Sequence, residues 1–414
     1  MIDVVEPKVD TFCQLWFDGI DGAVVSHVHK YKYMFNESWS INRHGSNQYR
    51  LSCLNPLALL GNVPISVSVV ERPGDIATNK LPINYNLPAG GMKKPLAICT
   101  KPDHFKDDIT MIFIEWVEAW FALGIDKIYL NVMEVHPELL KLFEFYEAEG
   151  KLEVRWFPEP LESYWLVQNE MVALNDCFLR HMHEYEFLIS VDVDEIIVPS
   201  SNQDKNLLEF LTRVIKKINI KKFERENHVF SGYMTSNFLY LLDNDHKDEI
   251  QPEVPANFHY LQKVYRSVRY PRGGVKSFQY TETTDIMHNH SPMFCLSDEG
   301  DLCKLPLIDY ADAKLHHYRQ TCEADSTKKF TAEMCRDFTN NTTRDDSLWK
   351  WKDDIILNWK RAETKMSKEL LDTVRNRFHI ERVKTTGLAF NLLTSITVNI
   401  LICSALLISL KQFF

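Results

Sequence analysis

Apolar residues in the middle of the chain alternate between two kinds of spacing. Short continuous apolar runs, typical of buried strands, occur at residues 95–100, 126–133, 151–157 and 187–191. The segments between them place apolar residues three and four positions apart, as amphipathic helices do, at residues 107–124, 137–150 and 164–184. Strands that alternate with helices favour a parallel sheet. This part of the chain therefore predicts an α/β fold with a Rossmann-like mixed sheet flanked by helices.

The flanking regions show other patterns. Residues 1–90 contain short apolar runs separated by Gly, Pro and Asn, which predicts a β-rich accessory region, and residues 84–95 resemble a linker. Residues 200–228 have a helical pattern and are basic, which is more typical of a solvated helix face than of a phosphate site. Short strands and loops are expected at 229–320, and a charged helical subdomain is expected at 323–386.

Three acidic residues interrupt the last apolar run of the middle region. Asp192, Asp194 and Glu195 lie within FLISVDVDEIIVP, residues 187–199, which we interpret as one buried strand with acids at its end. Because alternate residues of a strand lean to one face, Asp192 and Asp194 would present their carboxylates together. Ligands bind at the carboxyl ends of strands in open α/β sheets, and two carboxylates suit a hard divalent cation that carries a nucleotide diphosphate. The alternative is a solvated strand end before a turn at Pro199.

The composition of the chain limits the classes of protein to which it can belong. The chain has 414 residues, 45% of them hydrophobic, which is enough for a large core and one to three domains. Its net charge of -10, without a basic stripe, argues against a nucleic-acid partner. The eight cysteines before residue 387 form no CxxC pair, so a structural zinc site is not expected, whereas disulfides in an oxidising compartment are compatible with them. Sequons at Asn36, Asn340 and Asn341 agree with that compartment.

The last part of the chain is a candidate membrane span. Residues 387–410 form a stretch of 24 residues without a charged side chain, which is long enough to cross a bilayer, so a single-pass membrane protein is expected. A buried apolar tail is the alternative. Arginine and lysine residues concentrate before this stretch, which by the positive-inside rule would leave the main body in the cytosol. The sequons indicate the opposite orientation, and the sequence leaves both open.

Histidines and basic residues later in the chain are candidate partners for the acidic stretch. Imidazole together with carboxylate suits manganese or a similar ion. Each histidine is also compatible with a purely structural role. Arg319, with its planar guanidinium, and Lys276 are candidate phosphate partners. The candidate imidazole ligands are His288, His290, His316 and His317.

Six short motifs, taken in order, resemble glycosyltransferase family 92, whose nematode and plant members include galactosyltransferases. The similarity extends from about Pro95 to Arg319. DVDE alone is a weak signal because short acidic motifs are common, whereas the ordered set is fairly specific. A catalytic domain is therefore expected over residues 95–322. The motifs are PLAICTKP, IEWVEAWFALGIDKIYLNV, ALNDCFLR, FLISVDVDEIIVP, GGVKSF and LHHYR.

The resemblance implies a fold of the GT-A type, a UDP-sugar donor and a divalent cation such as Mn²⁺. Family members are similar to inverting enzymes that transfer β-galactose from UDP-galactose to an N-glycan or a polysaccharide. By position, Asp192 would contact both the nucleotide ribose and the metal, and Asp194 and His317 would complete the protein ligands of the metal. Arg319 would help to neutralise the diphosphate.

Four further residues receive candidate roles. By the same resemblance, Asp176 and Arg180 would line the donor pocket. Inversion requires a single in-line attack by an acceptor hydroxyl, whose proton a carboxylate would take as general base. Glu282 and Asp285 are candidates for this base by location alone, because they lie just before the candidate ligands His288 and His290.

The expected function is thus a metal-dependent glycosyltransferase that moves a hexose, galactose by resemblance, to a glycan acceptor. The alternative is a catalytically silent glycan-binding protein on the same scaffold. The resemblance also implies a place in the Golgi or elsewhere in the secretory pathway. Such enzymes usually carry a membrane anchor before the catalytic domain, whereas the apolar stretch here lies at residues 387–410.

Overall fold

The computed structural model describes eleven stretches of the chain, and the chain divides into two compact units. The first unit combines Met1–Lys93, Pro158–Glu184 and Val374–Phe414, and the second combines Lys94–Phe157 and Tyr185–Thr373. The described residues are 10–34, 48–83, 86–157, 166–218, 229–246, 248–271, 274–296, 303–322, 331–365, 399–401 and 405–411.

Strands outnumber helices among the described residues. The α-helices are α1 (Thr110–Ala122), α2 (Pro137–Ala148), α3 (Leu166–His181), α4 (Leu207–Lys217), α5 (Ala332–Asn340) and α6 (Lys352–Lys365). Short 3-10 helices lie at Ala58–Leu60, Ala89–Gly91 and Ser347–Trp351. The strands are β1 (Phe12–Phe17), β2 (Ala23–Tyr33), β3 (Gln48–Leu54), β4 (Pro64–Val70), β5 (Leu81–Pro82), β6 (Lys94–Cys99), β7 (Asp103–Phe105), β8 (Lys127–Val135), β9 (Leu152–Trp156), β10 (Tyr185–Ile189), β11 (Glu195–Pro199), β12 (Val229–Phe230), β13 (Gly232–Thr235), β14 (Asn237–Leu241), β15 (Tyr265–Ser267), β16 (Lys276–Tyr280), β17 (Thr284–Ile286), β18 (Phe294–Cys295), β19 (Cys303–Lys304), β20 (Ala313–Arg319), β21 (Thr342–Arg344), β22 (Asn399–Leu401) and β23 (Ala405–Lys411).

The first unit is built around an antiparallel sheet in the order β22-β23-β3-β2-β1-β4-β5. Side chains from one face of this sheet, among them Leu15, Leu51 and Val67, form a small apolar core. A disulfide joins Cys13 in β1 to Cys53 in β3, which are 40 residues apart in sequence. The strands β1 to β5 agree with the β-rich pattern of the first 90 residues.

The second unit contains a mixed sheet in the order β13-β16-β10-β6-β8-β7, with β9 also paired to β8. Strands β6 to β10 pair in parallel, and β16 and β13 continue the sheet antiparallel. Helix α1 lies between β7 and β8 in sequence, and α2 lies between β8 and β9. The predicted alternation of strands and helices is therefore confirmed as a mixed α/β fold.

Helix α1 packs into the core of the second unit. Trp116 and Trp120 are fully buried, as their helical spacing predicts. Acidic residues of an amphipathic helix usually lie on its solvated face, whereas Glu115 and Glu118 are buried as well. The difference arises because each carboxylate has partners inside the protein: Glu118 accepts a hydrogen bond from Tyr146, and Glu115 accepts from two backbone amides.

A close approach of two backbones joins β13 to β16. Gly232, the first residue of β13, has a φ of 131°, and a Cβ atom at this position would lie 1.9 Å from the carbonyl oxygen of Phe278. No side chain fits in that space, so a glycine is required for this pairing.

A separate three-stranded sheet changes the interpretation of residues 187–199. These residues form two strands, β10 and β11, rather than one; Asp192 and Asp194 lie in the turn that separates them, and Glu195 directly follows as the first residue of β11. Strand β11 leaves the main sheet and pairs antiparallel with β20, which pairs in parallel with β14. Asp192 and Asp194 therefore do not share a strand face. The two apolar halves of the run are both buried, which made them indistinguishable from a single strand by periodicity.

The regions that follow agree in part with the predicted helices. Helix α4 accounts for the first part of the basic stretch 200–228, and residues 219–228 lie outside the described residues. Within the predicted helical subdomain 323–386, α5 and α6 are separated by the short strand β21. Residues 323–330 and 366–386 lie outside the described residues.

The predicted membrane span at 387–410 is not confirmed. In the described part of the chain, every helix is too short or too polar to cross a bilayer. Two pieces of the predicted span are described, and both are strands: β22, and β23 as far as Leu410. Strand β23 pairs antiparallel with β3, so its backbone groups are used in a sheet ladder. Residues 387–398 and 402–404 lie outside the described residues.

Candidate active site

The acidic turn lies at the carboxyl end of β10. The neighbouring parallel strand, β6, ends at the same edge of the sheet, and Lys101 follows it two residues later. On its other side, β10 pairs with β16, and Ile189 lies opposite Phe278. This register places Lys276, two residues before Phe278, beside the residues that begin the turn. The topology therefore places acidic and basic side chains at one edge, as the general rule for ligand sites in α/β sheets predicts.

Asp192 faces two lysines. Its Oδ1 lies 3.1 Å from Lys101 Nζ, and its Oδ2 lies 3.8 Å from Lys276 Nζ. Although burial opposes ionisation, the charges of Lys276 and Lys101 lower the pKa of Asp192 below its ordinary value. The carboxylate is thus held in its ionised form.

Lys276 is a fully buried cation. Its Nζ lies 2.9 Å from Oε2 of Glu195 and donates a hydrogen bond to Oδ1 of Asn289. Ser190 donates to the same amide oxygen. Burial disfavours the charged lysine, but Glu195 and Asp192 outweigh it and raise the pKa of Lys276. The buried ammonium therefore ties the acidic turn to β16.

His317 lies opposite Glu195 in the register of β11 and β20, with its Nδ1 3.6 Å from Oε1 of Glu195. Its other ring nitrogen, Nε2, lies 3.3 Å from Oδ2 of Asp194. Burial works against protonation, yet the hydrogen bond to Asp194 and the charges of Glu195 and Asp194 raise the pKa of His317. The imidazole therefore joins two carboxylates, one buried and one 43% exposed.

The backbone of the acidic turn is held by aromatic side chains. Trp116 Nε1 donates to the carbonyl oxygen of Glu195 at 3.0 Å, and the Tyr260 hydroxyl donates to the carbonyl oxygen of Val193 at 2.5 Å. Glu115, adjacent to Trp116, accepts hydrogen bonds from the backbone amides of His259 and Leu261. Helix α1 thus supports the turn directly through Trp116 and indirectly through the segment that carries Tyr260.

Glu115 is a buried carboxyl that accepts its hydrogen bonds from backbone amides. Burial raises the pKa of Glu115 to about 7, and the hydrogen bonds from the backbone amides of Leu261 and His259 offset only part of that rise. The group therefore changes its protonation state close to neutral pH.

Asn237 completes the surroundings of His317. Its Nδ2 lies 3.4 Å from Nδ1 of His317. Gly274 has a φ of 64°, and a Cβ atom there would lie 2.8 Å from the same Nδ2. The second glycine of GGVKSF therefore lets the backbone approach Asn237. This close approach explains why the motif has a glycine at that position.

The remaining predicted site residues belong to different elements, some in the second unit and some in the first. Arg319 is the last residue of β20 and is close enough to His317 for its charge to oppose protonation there. Glu282 is exposed in the turn between β16 and β17, and Asp285 is buried in β17. Asp176 and Arg180 belong to α3 in the other unit, where Arg180 Nε donates to Asp176 Oδ2 at 3.1 Å.

Two of the other candidate histidines, His316 and His288, are buried. His316 stacks on Tyr240 and lies within hydrogen-bond distance of the hydroxyls of Tyr240 and Tyr318. Burial lowers the pKa of His316 to about 3, against the opposing charge of Asp345. Burial likewise lowers the pKa of His288 to about 3. Both rings therefore stay neutral at ordinary pH.

The donor atoms predicted for a divalent cation are partly assembled. The contact between Asp194 and His317 brings a carboxylate oxygen and an imidazole nitrogen together, whereas Asp192 faces Lys101 and Lys276. Across the described residues, no three side chains of His, Cys, Asp or Glu are grouped closely enough to hold a metal ion. The donor types nevertheless fit an ion such as manganese. The ligand set of Asp192, Asp194 and His317 stays a prediction.

Comparison with known families finds one whose profile covers this site. The profile of glycosyltransferase family 92 matches residues 94–358, which is more than half of the chain and includes the whole acidic turn. The chain belongs to glycosyltransferase family 92. Membership assigns it to the transferases that move sugars from a donor to an acceptor. Among curated proteins, no match is found.

Several residues around the turn of this family 92 member were not identified from sequence. Glu115 and Trp116 lie in the motif IEWVEAW, where an acid within an otherwise apolar helix is the one available signal. Lys101 lies at the end of PLAICTKP without any local feature that links it to Asp192. Tyr260 lies in a loop with no distinguishing pattern.

Proposed function

We propose that the chain is a metal-dependent, inverting glycosyltransferase that moves a hexose from a UDP-sugar to a glycan acceptor. Galactose is the proposed sugar, and an N-glycan or a polysaccharide is the proposed acceptor. The observation that supports this proposal is the acidic turn of a family 92 chain at the carboxyl edge of the sheet. There Asp194 contacts His317, and Lys101 and Lys276 contact the neighbouring Asp192.

The charges at this edge suit a diphosphate. Arg319 forms no ion pair within the described residues, so its guanidinium fork is available to two phosphate oxygens. Lys101 is 30% exposed beside Asp192 and is a second cation within reach of a ligand. Lys276 has a different position from the one expected of a phosphate partner, because its ammonium faces Glu195 and Asn289 in the interior.

A divalent cation, when bound by Asp194, His317 and Asp192, would neutralise the negative charge that develops on the departing diphosphate. Glu195 orients His317 from the opposite side, since it lies near Nδ1 while Nε2 faces Asp194. A carboxylate behind a ligating histidine fixes the ring and its tautomer. Lys276 keeps Glu195 in that position.

Two carboxylates, those of Glu282 and Asp285, are the candidates for the general base. Glu282 is exposed and is therefore accessible to an acceptor hydroxyl. Asp285 is 2% exposed, so an acceptor hydroxyl could reach it only through an opening beside the buried strand β17. Inversion by either residue requires that its carboxylate reach the attacking hydroxyl within hydrogen-bond distance.

The test is sugar transfer by the purified full chain across a panel of UDP-sugars, with and without Mn²⁺. We expect manganese-dependent turnover of UDP-galactose. In Asp194→Ala, turnover should fall by at least about 100-fold, because a metal ligand is lost, while the thermal midpoint changes little since the side chain is 43% exposed. Asp107→Ala, an exposed aspartate in the loop before α1, is the matched control and should keep full activity.

Two outcomes would contradict the proposal. Full manganese-dependent turnover in Asp194→Ala would remove that residue from the site. A folded wild-type chain that neither turns over any UDP-sugar nor binds UDP in the presence of metal would favour the silent glycan-binding protein. Sugar binding that needs neither metal nor nucleotide would support that alternative directly.

A further inference from the structure

Residues at the end of α5 carry two overlapping sequons. Asn340 is followed by Asn341 and Thr342, and Asn341 is followed by Thr342 and Thr343, so each asparagine satisfies the Asn-X-Thr pattern. Such triplets also occur by chance. The surroundings of the two asparagines in the folded protein therefore decide whether either is a credible glycan acceptor.

The two asparagines differ in their hydrogen bonds. The Asn341 side chain donates to Oδ1 of Asp337, its backbone amide donates to the carbonyl oxygen of Asp337, and its own carbonyl oxygen accepts from the amide of Val268. Asn341 therefore closes α5 and joins it to the segment after β15. A sugar on its Nδ2 would lie against Asp337, where that amide now donates.

Asn340 has no such engagement. It is exposed, and within the described part of the chain its side chain has no hydrogen-bonding partner. The buried residues of α5 are Cys335 and Phe338, so Asn340 lies off the face that packs inward. It borders an open pocket of about 340 Å³ that also includes Arg336 and Thr339. A bulky group on Nδ2 of Asn340 can extend into solvent without displacing a buried contact.

A second, independent observation concerns the compartment. Cys335 of α5 is joined by a disulfide to Cys322, and Cys295 is joined to Cys303 in the same unit. Disulfides of this kind form and persist in oxidising environments such as the lumen of the secretory pathway. The helix that presents Asn340 is therefore held in place by a bond that forms where N-glycosylation takes place.

We propose that Asn340 carries an N-linked oligosaccharide. The co-reactant is a lipid-diphosphate-linked oligosaccharide of the secretory pathway. In the transfer, Nδ2 of Asn340 forms a bond to C1 of the first sugar, the bond between C1 and the diphosphate oxygen breaks so that the lipid diphosphate leaves, and the amide loses one proton to the surrounding solution. The glycan projects from the end of α5 and marks this face of the second unit as lumenal. The proposal does not depend on the transferase activity.

The two threonines provide a matched pair of variants. Thr342→Ala removes the sequon of Asn340 and leaves that of Asn341, whereas Thr343→Ala does the reverse. Both threonines are half-buried in β21, opposite Ser267 and Arg266 of β15, so the two changes are structurally similar. Any loss of glycan that follows from weakened folding alone would appear in both.

The experiment is expression of the full chain in cultured animal cells, followed by enzymatic release of N-glycans in ¹⁸O-water and peptide mass spectrometry. We expect an ¹⁸O-labelled aspartate at position 340 in the wild-type chain and in Thr343→Ala, and its loss in Thr342→Ala. Label at position 341 instead would overturn the assignment. So would a wild-type chain that is labelled at Asn36, which lies outside the described residues, but not at Asn340, or one that is labelled nowhere.

Discussion

Lys276 and Lys101 carry the same charge and face the same carboxylate, yet their surroundings give them different roles. Lys276 is fully buried and ion-paired with Glu195, and removal of one partner of a buried pair typically costs about 3–5 kcal/mol. Lys101 is 30% exposed, and pairs near the surface contribute about 0–1 kcal/mol. The first lysine therefore belongs to the scaffold of the turn, and the second lies where solvent and a ligand can reach it.

Glu115 makes the stability of the protein depend on pH. Its pKa of about 7 in the folded state exceeds the ordinary value of 4.5, so the folded state binds the proton more tightly. Stability from this group is complete below the ordinary pKa and is lost as the pH rises through about 7, by roughly 3 kcal/mol in total. In Glu115→Gln this loss is absent. Between about pH 5 and about pH 8, the unfolding free energy of the wild type should therefore fall relative to that of the variant.

Chemical denaturation at a series of pH values measures this effect. Glu118→Gln is the matched control, because Glu118 is equally buried on the same helix but is paired with Lys151. This control should keep the wild-type dependence between those pH values. A parallel pH dependence in wild type and Glu115→Gln would show that Glu115 does not titrate in this range.

At the scale of secondary-structure elements, the site depends on where strands leave the main sheet. Strand β10 belongs to the main sheet, and β11 belongs to the sheet with β20, so the acidic turn is the point where the chain passes from one sheet to the other. Tyr260 and Trp116 hold the carbonyl oxygens of that turn. A short segment anchored at both ends and along its backbone presents its carboxylates with little freedom.

The junction of β13 and β16 is the element contact most sensitive to substitution. Gly232→Ala would place a Cβ atom 1.9 Å from the carbonyl oxygen of Phe278, at a φ that side chains rarely adopt. We expect the variant to lose at least about 3 kcal/mol of stability or to fail to accumulate as soluble protein, because backbone cannot yield as a flexible side chain can.

Gly74→Ala serves as its control. No atom lies within 4 Å of the position that its Cβ would occupy, and this glycine has no positive φ. Thermal unfolding of both variants should show a large drop for Gly232→Ala and almost none for Gly74→Ala. An equal, small effect in both would mean that β13 and β16 are farther apart than the structure shows.

The elements themselves were largely predictable, and the site was predictable only in part. Helices α1 and α2 and strands β6, β8 and β9 agree with their local periodicity to within a few residues. The pairing of Glu195 with His317 joins residues far apart in sequence, and periodicity holds no information on such a pairing. The turn around Asp192 was mistaken for strand because Val191 and Val193 continue the apolar alternation.

At the scale of the whole molecule, the two units differ in how they are stabilised. The first unit has a small core in which Cys13 and Cys53 are themselves core residues. The second unit has a much larger core that includes both tryptophans of α1. A small core supplies less hydrophobic stabilisation, so a covalent link has a larger share in the stability of the first unit.

Removal of the Cys13–Cys53 disulfide should therefore loosen the first unit selectively. The bond spans 40 residues, for which loop closure predicts a loss of about 4 kcal/mol. Hydrogen exchange of the amides in β1 and β3 should accelerate in the double variant Cys13→Ala, Cys53→Ala. In the matched variant Cys295→Ala, Cys303→Ala, those amides should keep their protection. Unchanged exchange in the first variant would show that the apolar core alone holds the sheet.

The adjacent histidines of β20 set a limit on how this chain can vary over evolutionary time. His316 faces Tyr240 and the interior, and His317 faces the acidic turn, because successive residues of a strand point to opposite sides. Gain or loss of one residue within β20 would exchange the two, burying the imidazole that should meet Asp194. Descendants of this chain should therefore keep a fixed count of residues from Ala313 to Arg319.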